Sequence, residues 1–361
     1  MLHAIIIAGG SGKRLWPKST KESPKFFLKI KGKKTLLEQT IDRAKRIMPV
    51  DNIIIITSRH HVNLIHKTLP YFSKKNIMAE PLSRNTAPAV CLGAALIAKR
   101  DPKSVIYIMP ADQIIEDDNA IAEVFKLSAL ISRIKDSIIT IGIAPSFPLT
   151  GYGYIKTARF YKSLKLESKY DIFKVECFTE KPDLKKAKAF IKTRKYLWNS
   201  GIFVGKADVF LSEFKAHSPA VYRTAMKIAE TKGAKKIKSA LNRYYKDFPD
   251  ISIDYAIMEK TDKAFVVKAD PGWSDIGSWD VFQKYLRIDK DENAIDAEHI
   301  GINTNSSIII GEKGHLIATS GIKDLVIVHT ENATLICSKE NCEDVKKLVE
   351  LADKKGLKRY L

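Results

Sequence analysis

The chain has 361 residues, 45% hydrophobic and 28% charged, which is enough apolar material for a sizeable core and excludes wholesale disorder. No stretch approaches the ~18–20 apolar residues that span a bilayer. Cys91, Cys177, Cys337 and Cys342 stand at no disulfide-framework or zinc spacing, so a cytoplasmic protein is expected. The formal net charge of +20 admits polyanionic partners, but the surplus is spread over residues 156–195, 206–246 and the end of the chain. No zinc finger, RNA-binding aromatic signature or helix-turn-helix accompanies it, and it reads first as solvated lysine.

Residues 4–7 form a short β-branched run that flows into Gly9 and Gly10 without a basic leader, which is a first strand and not a signal peptide. Further continuous runs at 53–57, 105–109 and 137–143 read as strands. Between them, residues 36–47, 87–99 and 120–134 carry helical periodicity. That alternation predicts a sheet covered on both faces, with ligands outside the carboxyl ends of its strands. Strands and helices then mix, with helices over 185–192 and 220–232. A polar stretch at 289–296 marks a boundary. Short strands follow at 307–310, 315–318, 325–328 and 334–336, about nine residues apart, and predict a small all-β or coiled-β unit, not a long solenoid. A terminal helix over 340–355 has acids in its first turn and lysines towards its end. The predicted domains are therefore 1–290 and 291–361.

The segment just after the first strand, AGGSGKRLWPKSTKESPK, is the strongest local signal. Closely spaced glycines let backbone N–H groups approach an anion. It is not a P-loop, because Ile7 and Arg14 stand where Gly and Ser or Thr are required. Nor is it the dinucleotide fingerprint, because Leu15 replaces its third small residue. Lys13, Arg14 and Lys25 carry charge to neutralise a polyphosphate. Asp112 ends the phrase MPAD at the close of a strand, where a carboxylate can hold Mg²⁺, and Asp275 in WSDIGSW is a second candidate. Either alone is more often a cap or turn residue. GYGYIK, FTEKPD and LWNSGIF each set polar groups among aromatics; Glu180 and Asn199 suit sugar hydroxyls, and Lys181 suits a phosphate. Taken singly, these three segments are ordinary hairpin edges. His60-His61 point apart and lack a zinc-binding pattern. No serine-hydrolase elbow or protein-kinase motif set is present.

In order along nearly the whole chain, GGSGKRLWPKSTKESPKFFL, AEPLSRNTAPA, MPADQ, TGYGYI, FTEKPD, LWNSGIF, SIDYAIMEK, WSDIGSW and DLVIVHTENATLICSK resemble the mannose-1-phosphate guanylyltransferases, or GDP-mannose pyrophosphorylases, in their form without a fused isomerase domain. The resemblance implies an α/β nucleotidyltransferase fold, Rossmann-like with a mixed, mostly parallel sheet, followed by a short β-helix-like domain. It implies transfer of GMP from GTP to mannose 1-phosphate, with Mg²⁺, or Mn²⁺ in its place, as cofactor. It implies that Gly9, Gly10 and Gly12 cradle the nucleotide phosphates, that Arg14 and Lys25 neutralise them, and that Arg84, Asn85 and Thr86 lie near the nucleotide. Asp112 and Asp275 would hold the metal; Gly153, Glu180 and Asn199 would meet mannose, with Lys181 on its phosphate. A homodimer is the implied assembly, with no membrane and no specific nucleic acid as partner. Two departures stand out: Gln113 where the family has His, and Phe26 where it has Gln. Three alternatives stay open on sequence: another hexose or nucleotide, a basic nucleic-acid-binding protein, and an inactive regulatory subunit.

Overall fold

The computed structural model describes residues 1–10, 12–160 and 168–361. Contact grouping divides the chain into two compact units: Met1–Gly9 with Thr40–Ser274, and Gly10–Gln39 with Asp275–Leu361. In chain order the elements up to the second segment of the second unit are β1 (Leu2–Ala8), α1 (Leu36–Lys45), β2 (Ile53–Ser58), α2 (Val62–Thr68), β3 (Ile77–Glu80), α3 (Thr86–Ala98), β4 (Val105–Pro110), α4 (Asp118–Lys135), β5 (Ile138–Ile143), β6 (Tyr154–Phe160), β7 (Ile172–Thr179), α5 (Leu184–Thr193), β8 (Tyr196–Lys206), α6 (Ala207–His217), α7 (Pro219–Ala229), α8 (Ala234–Tyr244) and β9 (Ala264–Lys268).

The first unit is built on a nine-stranded sheet of order β3-β2-β1-β4-β8-β5-β9-β7-β6. Its β3-β2-β1-β4 portion is parallel, with Ile5 opposite Ile54 on one side and Ile108 on the other. Burial on both faces explains why these strands read as unbroken β-branched runs, since Ala4, Ile5, Ile6, Ile55 and Ile56 are all fully buried. Beyond β4 the sheet changes character: β8 enters antiparallel to β4, β5 and β6, while β5 and β9 run parallel. Helix α3 is buried almost all round, from Ala87 to Ile97, which accounts for the apolar stretch of its sequence without any membrane role. Among the described residues, no helix is long and apolar enough to cross a bilayer. The predicted helices are found with shifted ends, and α2, α6 and α8 of this unit join them.

The second unit continues with α9 (Trp279–Phe282), β10 (Arg287–Ile288), β11 (Ala294–Asp296), β12 (Glu298–Asn305), β13 (Ile308–Ile310), β14 (Leu316–Lys323), β15 (Leu325–His329), β16 (Thr334–Ser338) and α10 (Val345–Lys354). The strands stack as parallel rungs: β11, β13 and β15 in one sheet, β12 and β14 in another. Ile308, Ile309, Ile310, Val326 and Val328 are all fully buried. This is the short β-helix-like domain that the family resemblance implies, and it agrees with the small β unit read from the strand spacing. The single terminal helix of the sequence reading is divided, a 3₁₀ segment Lys339–Asp344 preceding α10. Cys337 and Cys342, unremarkable by spacing, bring their thiols into hydrogen-bond contact; the contact holds the Cys337 thiol below its usual range and pushes Cys342 up. Before α1, Thr35 and Glu38 form a capping box: Thr35 N donates to Glu38 Oε2 at 2.7 Å and Glu38 N to Thr35 Oγ1 at 3.2 Å.

Candidate functional site

In the second unit the glycine-rich segment is shaped around Gly12. Its φ of 61° lies in the left-handed region, and a Cβ there would come within 2.6 Å of Lys25 Cβ and 2.8 Å of Ser19 Oγ. Only glycine meets both conditions. Gly10 has open space at its Cα, as backbone approach to a ligand requires. A 3₁₀ turn, Lys13–Leu15, follows, closed by Leu15 N donating to Gly12 O at 2.8 Å. It carries Arg14, whose Nε lies 2.7 Å from Glu343 Oε2. Lys25 is only 5% exposed, an expensive place for an ammonium unless it is paired. Its Nζ meets Asp275 Oδ1 at 3.1 Å and also donates to the Asp275 carbonyl. This unit thus brings together Gly10, Gly12, Arg14, Lys25 and Asp275. Phe26, one of the two departures, is 1% exposed with its ring centroid 4.7 Å from that of Phe27, so it is a core residue.

In the first unit Gly9 and Asp112 follow neighbouring parallel strands, β1 and β4, and leave the sheet at the same edge. Ala111 N donates to Ile7 O at 3.0 Å and fixes the turn before Asp112. Gln113, the other departure, is buried; its Nε2 donates to Ser200 O at 2.5 Å, and its own carbonyl accepts from buried Arg43 at 3.1 Å. It ties the MPAD turn to the NSG segment of β8. Arg84, Asn85 and Thr86 open α3. Asn85, at φ 60°, accepts from Thr86 N at 3.0 Å, Thr86 Oγ1 accepts from Ile253 N at 2.9 Å, and Arg84 donates to Lys246 O at 3.1 Å. These side chains build the helix start: its first N–H groups are taken up by Asn85 Oδ1 and, from Ala87 N at 3.1 Å, by Ile251 O, which leaves the helix dipole to favour an anion.

Sequence reasoning missed Glu80, at the carboxyl end of β3. It is 9% exposed, and burial raises its carboxyl to about 7, against the opposing hydrogen bond from Tyr245. Tyr245 donates to Oε1. The other oxygen, Oε2, faces Gly9, where a Cβ would lie 3.9 Å away. The phrase AEP gives no local sign of this, because Tyr245 is 165 residues distant.

The three segments that read singly as hairpin edges meet on adjacent strands. Tyr154 of β6 is opposite Thr179 of β7 and Trp198 of β8. Gly153, Glu180, Lys181 and Asn199 are therefore neighbours. Asn199 N donates to Gly153 O at 2.8 Å, and a Cβ on Gly153 would strike Glu180 Oε2 at 2.6 Å. Asn199 Oδ1 accepts from Thr140 at 2.9 Å, and its Nδ2 donates to Asp254 Oδ1 at 3.3 Å. Lys181, at φ 47°, pairs with Glu180. Asp254 is a second residue that the sequence reading passed over. It opens a π-helical turn, Asp254–Met258, and burial together with the Glu180 charge raises its carboxyl to about 7. Tyr152 adds an aromatic wall, its ring 5.3 Å from those of both Trp198 and Trp273. Carboxylates, an amide and aromatic rings at one place are the groups that a polyol's hydroxyls and ring faces can meet.

Residues 3–292 match the nucleotidyl transferase family, and residues 297–351 match the MannoseP isomerase/GMP-like beta-helix domain. The mannose-1-phosphate guanylyltransferase of Escherichia coli K12 is 35% identical over 97% of this chain and 73% of its own length. The alginate biosynthesis protein AlgA of Pseudomonas putida is 33% identical over 99% of this chain and 72% of its own. Among solved structures, a mannose-1-phosphate geranyltransferase from Thermus thermophilus is similar with a TM-score of 0.85, at 28% identity, over 98% of this chain and 99% of that one.

Proposed function

The chain belongs to the nucleotidyl transferase family as a mannose-1-phosphate guanylyltransferase, and from that premise we propose how its residues divide the work. The reaction transfers GMP from GTP to mannose 1-phosphate. A phosphate oxygen of the sugar attacks the α-phosphorus, the bond to the β-phosphate oxygen breaks, and GDP-mannose and pyrophosphate result. Both substrates are anions, so the protein's task is to hold them in line and offset their charge. No side chain has to become a nucleophile.

Gly9, Gly10 and Gly12 present backbone N–H groups to the triphosphate, and Arg14 and Lys25 neutralise it. The observation that carries this assignment is the buried Lys25 ammonium, seated against Gly12 and paired with Asp275. The start of α3, with Arg84, Asn85 and Thr86, borders the nucleotide. Glu80 reads guanine: a carboxylate is the acceptor that matches N1–H and the N2 amine together. Gly153, Glu180, Asn199 and Asp254 receive the mannose hydroxyls, and Lys181 takes the sugar phosphate. Asp112 and Asp275 are half-buried, hard oxygen donors, the kind Mg²⁺ or Mn²⁺ takes together with phosphate oxygens and water. They would hold the metal, which when bound supplies charge compensation to the phosphates.

The net charge of +20 is assigned to attraction of these polyanionic substrates, with no specific nucleic acid as partner. The proposed setting is the cytoplasm and the proposed assembly a homodimer, which light scattering on the purified protein measures. Another hexose or nucleotide is not favoured, because relatives named mannose-1-phosphate guanylyltransferase align with this chain almost end to end. The test is pyrophosphate release from GTP, ATP, UTP, CTP and dTTP, each with mannose 1-phosphate or glucose 1-phosphate, with and without EDTA. Release is expected only from GTP with mannose 1-phosphate and metal. Release that prefers another pair would overturn the substrate assignment.

A further inference from the structure

We propose that Glu343, in the C-terminal β-rich segment, is a positioning residue for Arg14, so that the tail completes the phosphate-binding loop. Arg14 has four rotatable side-chain bonds, and the turn Lys13–Leu15 fixes only its backbone. Its charge contact is Glu343 Oε2 at 2.7 Å from Nε. The geometry is close without being a linear N–H···O bond: Nε is buried and has no aligned acceptor among the described residues. The carboxylate therefore acts on the guanidinium as a nearby charge.

Glu343 is itself held in place. It lies between Cys342, 3% exposed, and Val345, fully buried, on the 3₁₀ segment Lys339–Asp344. That segment is anchored by Lys339, whose N donates to Asp324 O at 2.9 Å and whose Nζ donates to Gln283 Oε1 at 3.1 Å. The loop is fastened to the same unit on its far side. Trp16 Nε1 donates to Tyr360 O at 2.7 Å, and Trp279 Nε1 donates to Trp16 O at 3.2 Å. Two independent fixings, one through Trp16 and one through Glu343, bracket the turn that carries Arg14. The backbone is held by the first and the side-chain charge by the second.

Both partners are partly exposed, Arg14 at 38% and Glu343 at 63%, so their coupling is modest. Exposed ion pairs of this kind change rates by up to about fivefold. The inference rests on the assignment of Arg14 to the triphosphate, and a double-mutant cycle on the full-length enzyme tests it. kcat and KM for GTP are measured for wild type, Glu343→Ala, Arg14→Ala and the double variant, with Glu343→Asp and Glu343→Gln alongside. Glu343→Ala is expected to lower kcat/KM for GTP about fivefold in the wild-type background and to have no effect once Arg14 is Ala. Glu343→Asp should recover most of the loss and Glu343→Gln less, while KM for mannose 1-phosphate stays unchanged. An equal loss in both backgrounds, or none in either, would overturn the inference. A wild-type enzyme that makes no GDP-mannose would instead sink the functional assignment itself, so the two failures are distinguishable.

Discussion

Glu80→Gln tests the reading of the nucleobase. Burial raises the Glu80 carboxyl to about 7, so near neutrality the group is divided between its acid and carboxylate forms. Guanine N1–H and N2 amine need the carboxylate. The carboxylate form is therefore lost as pH falls from 7 to 5, and KM for GTP should rise across that interval. Each hydrogen bond to a charged acceptor contributes ~1.5–3 kcal/mol. ITP lacks the N2 amine, so wild type should prefer GTP over ITP by roughly ten- to a hundredfold. Glu80→Gln keeps the size of the side chain but replaces one acceptor with a donor. It should weaken GTP, erase most of the GTP-over-ITP preference and flatten the pH dependence. The assay is steady-state GDP-mannose formation from pH 5 to 8 with each nucleotide, comparing variant with wild type so that ionisation of GTP itself cancels. An unchanged GTP-to-ITP ratio, or the same pH slope in both proteins, would refute the assignment.

Asp112→Asn and Asp275→Asn should each nearly abolish turnover at saturating Mg²⁺, and wild-type rates in either variant would remove that residue from the metal site. Gly12→Ala should cost more than ~2 kcal/mol, because its φ is left-handed and its Cβ would meet Lys25 at 2.6 Å; normal melting temperature and activity would contradict the loop geometry. Stability should fall as pH rises from 5 to 8. Glu80 and Asp254 both hold folded pKa values near 7, above their unfolded ones, so the folded chain binds more protons between pH ~4 and 7, and the stability they contribute at low pH is lost through that window. Thermal melts check this: Asp254→Asn should flatten the profile, and a wild-type profile rising from pH 5 to 8 would contradict the sign.

The parallel portion of the sheet was legible because strands buried on both faces must be continuously apolar, as residues 53–57 and 105–109 are. Turn spacing made a small β unit legible at the end of the chain, and the family resemblance made it β-helix-like. Antiparallel β8 was not, because its neighbours β4, β5 and β6 lie far away in sequence and its own pattern is that of an isolated hairpin edge. Motif chemistry singled out the glycine loop, both aspartates and the polar groups of the three short segments as candidates. It missed residues whose role exists only through distant partners. Glu80 gains its meaning from Tyr245 and Gly9, and Asp254 from Glu180 and Asn199. Glu343 is an ordinary exposed acid until the fold sets it 2.7 Å from Arg14. The grouping of Gly10–Gln39 with Asp275–Leu361 is of the same kind, since contacts across more than two hundred residues leave no local trace.

Direct transfer without a guanylylated protein is open to isotope exchange. The purified protein is incubated with GTP, Mg²⁺ and radiolabelled pyrophosphate, first without and then with mannose 1-phosphate. Attack by the sugar phosphate on the α-phosphorus predicts that no label enters GTP until mannose 1-phosphate is present, after which label appears together with GDP-mannose. Label entering GTP in the absence of the sugar phosphate would mean that a protein group accepts GMP first, and would contradict the mechanism.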